Sequence, residues 1–192
     1  MMNMLEQILA ANKQFVANLM IKSMDVSSGS GKLPSRELAI FTCMDTRLVE
    51  FLEPAMGISR GQAKVIKNAG NTITGPFEAT IRSLVIGIFE LGVKEIMVIG
   101  HLDCGVATTD SKKLIQKMLA RGISADAIKM IEKELEQWID HFHHPLENVE
   151  EAVLKIRSNP LIPKDVPVHG LMFNPHTGDL SIVVNGYGHT RD

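Results

Sequence analysis

Apolar positions along this chain form one helical stripe, then three short runs separated by helical spacings, then a long mixed tail. Residues 3–22 carry Leu5, Ile8, Leu9, Phe15, Val16, Leu19 and Met20 at helical intervals, which predicts a helix whose apolar face lies against another surface. Ser27 to Gly31 reads as a loop ending at Pro34. Leu38 to Thr42 is too short for a helix and leans towards strand. Leu48 to Met56 has helical spacing, with Gly57 as its stop. The pattern then repeats: a strand from Ala63 to Ile66 runs into the turn Asn68 to Asn71. A helix from near Pro76 through Leu91 follows, with Glu78 in its first turn and Gly92 beyond its end, then a third strand from Glu95 to Ile99. Residues 109–158 read as mostly helical, broken near Gly122 and Pro145, with Ser124 an N-cap before Ala127 to Ile139. Val166 to Phe173, the turn Asn174 to Asp179 and Leu180 to Val184 read as a hairpin that extends the sheet.

Strand and helix in alternation predict an α/β fold: a central, mostly parallel β-sheet flanked by helices, with an N-terminal helical arm and a C-terminal strand extension. The expected organisation is one domain over 1–192, comprising an arm (1–35), a core (36–106), a helical segment (107–160) and C-terminal strands (161–192). Ligands of such sheets gather beyond the carboxyl ends of the strands.

A net charge of −2 offers no footprint for nucleic acid or an anionic membrane, and 5% aromatic residues leave little for stacking on bases. The N-terminus lacks the basic and apolar regions of a signal peptide, and no apolar stretch approaches membrane-spanning length. A soluble, cytoplasmic protein is expected.

The chemistry gathers at that carboxyl edge. The chain has two cysteines, Cys43 and Cys104, each closing an apolar run beside another metal-competent side chain: Asp45 for the first, His101 for the second. A disulfide is possible in principle, but a reducing compartment and these neighbours favour a metal. Two thiolates and one imidazole fill three corners of a tetrahedral zinc site, and water or the Asp45 carboxylate takes the fourth. Arg47 can hold Asp45 by a charge-assisted pair and keep it off the metal. Two thiolates also donate charge to the ion and oppose its acidification of water; something must offset them, and Asp45, accepting a hydrogen bond from zinc hydroxide, is the candidate.

Three motifs carry a resemblance: Cys43-Met44-Asp45-Thr46-Arg47, Asn68-Ala69-Gly70-Asn71 and His101-Leu102-Asp103-Cys104-Gly105. Over residues 36–106 they resemble the β-class carbonic anhydrases, most closely their short prokaryotic and archaeal branch. The resemblance implies one Zn2+ per chain on Cys43, His101 and Cys104, with Asp45 joining the metal in closed forms of the family. It implies an Asp45–Arg47 catalytic dyad, and a backbone wall at Gly70 and Asn71 on the substrate side. The implied reaction is reversible hydration of carbon dioxide to bicarbonate and a proton by zinc-bound hydroxide. The implied assembly is a homodimer or homotetramer in which the N-terminal helix wraps the partner. Carbon disulfide and carbonyl sulfide hydrolases share the scaffold and the ligands, and a non-catalytic, zinc-binding regulatory homologue would keep the fold. Asn71 stands where the family commonly has Gly, and Leu102 where a small or hydroxyl residue is frequent. The single Trp138 and Tyr187 do not match the segments that form a non-catalytic bicarbonate pocket in some members.

Other polar clusters receive plainer readings. Asp103 is expected to accept turn amides, and His141, His143 and His144 to form a solvated helix end rather than a second metal cluster. His169, His176 and His189 receive no role. The Met-rich N-terminus suits interface packing.

Overall fold

The structure, a computed structural model, describes residues 3–21, 31–140, 142 and 144–189. It divides into two units, Met1–Gly31 and Lys32–Asp192. Most of the expected Ser27 to Gly31 loop, together with His141 and His143, lies outside the described residues.

The first unit is helix α1 (Met4–Ile21). Asn3 Oδ1 accepts the Glu6 amide at 3.0 Å and Glu6 Oε2 accepts the Asn3 amide at 2.9 Å. This reciprocal box fixes where the helix begins. Leu5, Ile8, Leu9, Phe15 and Val16 of the expected apolar stripe are exposed along it.

The second unit is built on β1 (Leu38–Cys43), β2 (Ala63–Asn68), β3 (Glu95–His101), β4 (Val168–Phe173) and β5 (Leu180–Val184), in the order β2-β1-β3-β4-β5. The first four run parallel and β5 returns antiparallel to β4. This is the α/β sheet expected from the sequence. β2 and β3 each run two residues past their expected ends, because Cys43 pairs with Asn68 and His101 with Phe173. Cys43 and His101 therefore leave the sheet at its carboxyl edge.

The helical connections are α2 (Leu52–Ala55), α3 (Ala79–Phe89), α4 (Ser111–Ala120), α5 (Ala125–Lys129), α6 (Glu132–Ile139) and α7 (Pro145–Ser158). Alternation along the strands sends Ala39, Phe41, Ile96, Val98 and Val168 to one face, where Ile81 and Leu84 of α3 and Val149, Val153 and Ile156 of α7 cover them. Leu38, Ile40, Ile99 and Phe173 point to the other face, under Leu48, Leu52 and Ile58. Among the described residues no helix is long and apolar enough to cross a membrane.

Three elements depart from the sequence reading, one being the helix expected over Ala127 to Ile139, which is split into α5 and α6 at Met130 and Ile131. The helix expected over Leu48 to Met56 is a 3₁₀ turn at Thr46–Leu48 followed by the four-residue α2. Glu50 between them is left-handed (φ 54°), so the apolar spacing there reports a shared buried face rather than a continuous helix. Glu78 sits outside α3 as its N-cap, its carboxylate accepting the Thr80 and Ile81 amides.

Helix α7 lies unusually close to the sheet. A Cβ at Gly100 would stand 2.5 Å from Val149 Cγ2, and one at Gly170 would stand 2.8 Å from Val149 Cγ1. Only hydrogen at these strand positions admits the helix at its observed height.

Candidate metal centre

Three chain segments meet beyond the strand ends. Cys43 closes β1, His101 closes β3, and the turn after His101 brings Cys104 back through Asp103 in the left-handed region (φ 55°). The Cys43 and Cys104 sulfurs lie 3.9 Å apart as free cysteines, so they form no disulfide. The donor atoms of Cys43, His101 and Cys104 all fall within 4.8 Å of one another, and all three residues are buried. Among the described residues this is the one group of three or more such side chains placed to share a metal ion.

The imidazole is oriented for a ligand role. His101 Nδ1 faces the Leu102 carbonyl at 2.8 Å and donates to it, since a carbonyl only accepts. Its Nε2 lone pair is buried, with no hydrogen-bond partner among the described residues. An orphaned, oriented nitrogen beside two sulfurs fits a metal better than a satisfied core. The spacing fits as well: two sulfurs at ~2.3 Å from a tetrahedral ion stand about 3.8 Å apart. Soft sulfur with imidazole is the donor set of zinc rather than of magnesium or calcium.

Asp45 stands beside this group without joining it. Its Oδ2 is 3.8 Å from His101 Nε2. Arg47 holds it, donating from Nε to Oδ1 at 3.0 Å, from Nη2 to Oδ2 at 2.9 Å and from its backbone amide to Oδ1 at 2.9 Å. Arg47 Nη2 also reaches the Asp103 carbonyl at 2.8 Å. The Asp103 carboxylate faces His176 Nε2 at 3.3 Å, so what Asp103 offers the site is its backbone oxygen and not the turn-amide acceptor expected from sequence.

The electrostatics follow from these contacts. Hydrogen bonds from the Arg47 side chain draw the Asp45 pKa from 3.8 down to about 2, against burial. The hydrogen bond with Cys104 lowers Cys43 most; His101 and the Gly70 and Asp45 amides add to it against burial, and Cys43 falls to about 4. Cys104 is pushed up by Cys43 and by burial. Burial opposes charge on His101, but Cys43, the Leu102 carbonyl and Asp45 together more than offset it and raise its pKa. Cys43 is thus the first of the two thiols to ionise.

The turn after β2 supplies one of those amides. Gly70 (φ 72°) points its N–H at Cys43 Sγ across 3.4 Å. Asn71 is also left-handed (φ 47°) and buried, and its Nδ2 lacks a hydrogen-bond partner among the described residues. Asn68 ties the turn internally, donating to the Thr72 carbonyl and accepting the Thr72 amide.

The helical segment reaches this turn through contacts that sequence reading did not name. Trp138 Nε1 donates to Thr72 Oγ1 at 3.0 Å, Asn148 Nδ2 donates to the Gly70 carbonyl at 2.8 Å, and the buried Phe142 ring packs against Gly70. The chain's lone tryptophan, on the amphipathic helix α6 beside Leu135 and Ile139, was the available signal. Among the described residues no other histidine joins this metal-binding group. His144 is exposed, and the buried His169 faces Glu95, to which Tyr187 donates.

Comparison with known proteins agrees with this geometry. A family model described as carbonic anhydrase matches residues 38–180. The crystal structure of β-carbonic anhydrase isoform I from Trichomonas vaginalis superposes with a TM-score of 0.91 at 42% identity, covering 97% of this chain and 100% of that one. YtiB of Bacillus subtilis is 40% identical over 189 residues, which cover 97% of this chain and 99% of its own. A carbon disulfide hydrolase of Acidithiobacillus thiooxidans is 30% identical over 158 residues, 76% of each chain. On its family match, its sheet and its Cys-His-Cys group, this chain belongs to the β-carbonic anhydrases.

Proposed function

We propose that this chain is a cytoplasmic, zinc-dependent enzyme that reversibly hydrates carbon dioxide to bicarbonate and a proton. The observation that carries the reading is the Asp45–Arg47 pair. A carboxylate beside three buried donors is held 3.8 Å from His101 Nε2 by two side-chain hydrogen bonds, rather than turned in as a fourth ligand.

Cys43, His101 and Cys104 would hold the ion. Zinc supplies there the Lewis acidity that lets a water molecule ionise near neutral pH. Asp45, anchored through both oxygens, would accept a hydrogen bond from water at the site and orient it towards carbon dioxide. Arg47 keeps Asp45 charged and holds its carboxylate away from the three donors. Gly70 and Asn71 form a backbone wall beside Cys43. Bicarbonate departs on the Arg47 side, where 35% of that side chain is exposed and solvent can take the proton. Thiolate ligands suit a reducing compartment.

Stopped-flow hydration with a pH indicator tests the reading: zinc-loaded protein should turn over carbon dioxide, and inactivity from mildly acidic to alkaline pH would defeat it. The exposed apolar residues of α1 support a homodimer or homotetramer, which sedimentation velocity would reveal. The carbon disulfide hydrolase relative favours a second reading, hydrolysis of carbon disulfide or carbonyl sulfide. Hydrogen sulfide release exceeding hydration would select it.

A further inference from the structure

We propose that Asn148 is a positioning residue for the metal centre: from the first turn of α7 its side-chain amide holds the Gly70–Asn71 backbone in the conformation that aims the Gly70 N–H at the Cys43 sulfur. The effect on a bound ion rests on the metal-site reading above, whereas the clamp on the backbone stands without it.

Gly70 and Asn71 are consecutive left-handed residues, an arrangement that persists only when surrounding structure enforces it. Both lie past the last rung of β2, so the sheet ladder cannot enforce it. Asn148 Nδ2 donates to the Gly70 carbonyl at 2.8 Å and lies 3.4 Å from the Asn71 carbonyl. Facing two carbonyl oxygens, only the nitrogen of the amide can stand there, so its orientation is settled. Fixing both carbonyls fixes the two peptide planes that follow the Gly70 amide.

The height of Asn148 above the turn is set by its neighbour. Val149 is fully buried against Gly100 and Gly170, and Gly100 precedes His101. The contact that seats α7 on the sheet is thus one residue from a metal ligand on one side and one residue from the clamp on the other. An N–H directed at a thiolate withdraws charge from it. That adds to the offset from Asp45 that a site with two thiolates requires if its ion is to acidify water.

The test uses the full-length protein carrying Asn148→Ala, Asn148→Asp or Asn148→Gln. Amide exchange at Gly70, read by NMR with and without zinc, should accelerate about tenfold in Asn148→Ala and Asn148→Asp, the loss expected for one hydrogen bond. Asn148→Gln, which keeps the donor, should recover part of the protection. In cobalt-substituted protein the sulfur-to-metal charge-transfer band should move to longer wavelength in the same order. If Asn148→Ala fails to fold, Asn148→Asp and Asn148→Gln carry the comparison. Unchanged Gly70 exchange overturns the clamp. Altered exchange with an unmoved cobalt band overturns its effect on the ligand. A wild-type protein that takes up no cobalt overturns the metal-site reading instead, and Gly70 exchange still decides the clamp.

Discussion

Replacing Gly100 by alanine tests how α7 is seated. The new methyl would stand 2.5 Å from Val149 Cγ2, 3.3 Å from Met172 Cε and 3.4 Å from the Pro145 carbonyl oxygen. Met172 can swing its terminal methyl aside. Val149 cannot: it is fully buried, and its branched side chain is stiff about χ1. Restoring an ordinary contact of about 3.8 Å requires helix and strand to part by roughly 1 Å. Overpacking of this kind costs about 1–3 kcal/mol, and replacing glycine in a strand returns up to about 1 kcal/mol by restricting the unfolded chain. The net expectation is a loss of about 1–2 kcal/mol. Urea unfolding should show a lower midpoint at unchanged slope.

A second substitution makes the test specific. Val149→Ala alone removes two buried methyl groups and destabilises by about 1–3 kcal/mol. Combined with Gly100→Ala it also removes the colliding atom. The double variant should therefore be more stable than the sum of the single losses by about 1–2 kcal/mol. Strict additivity, or a Gly100→Ala protein as stable as wild type, would refute this account of the contact.

Arg47→Ala should lower carbon dioxide hydration by on the order of a hundredfold while zinc stays at one per chain, since it removes both side-chain bonds that hold Asp45 off the metal. Arg47→Lys should recover only part, because one ammonium cannot span both Asp45 oxygens and the Asp103 carbonyl; hydration within threefold of wild type in Arg47→Ala would remove Arg47 from the mechanism. The single tryptophan should report the metal: stripping zinc should change Trp138 emission through its bond to Thr72, and Thr72→Val should abolish that response while zinc uptake persists. Tyr187, the single tyrosine, should ionise above its ordinary 10.0 because it donates a hydrogen bond to Glu95, which spectrophotometric titration reads directly. Glu95→Gln should bring it back down, and a titration unmoved by that change would sink the assignment.

How legible each part was depends on where its partners sit. Cys43 and His101 could be read because each closes an apolar run, and a parallel sheet places such ends together whatever their separation in sequence. Arg47 could be paired with Asp45 because both lie in one turn. The stretch after it misled, since Leu48, Leu52 and Ile58 share a buried face without sharing a helix; the left-handed Glu50 that interrupts them carries no sequence mark. Asn148 was invisible for another reason. Its partners are backbone carbonyls more than seventy residues earlier, and a carbonyl belongs to every residue alike.

That contrast explains why a metal centre whose ligands all fall between residues 43 and 104 belongs to a longer fold. Hydrogen-bond ladders fix Cys43 and His101 only up to the last rung. The residues that tune the sulfur lie past that rung, in left-handed conformations that no ladder supports. Asn68 at the strand end ties the turn from within, and helices α6 and α7 add donors from outside the sheet, through Trp138 and Asn148. A site whose ligands are fixed by strands and whose amide donor is fixed by a helix has two separable failures. Disturbing the strand ends should cost metal, whereas disturbing α7 at Asn148 should spare metal uptake and change how strongly Cys43 donates to the ion.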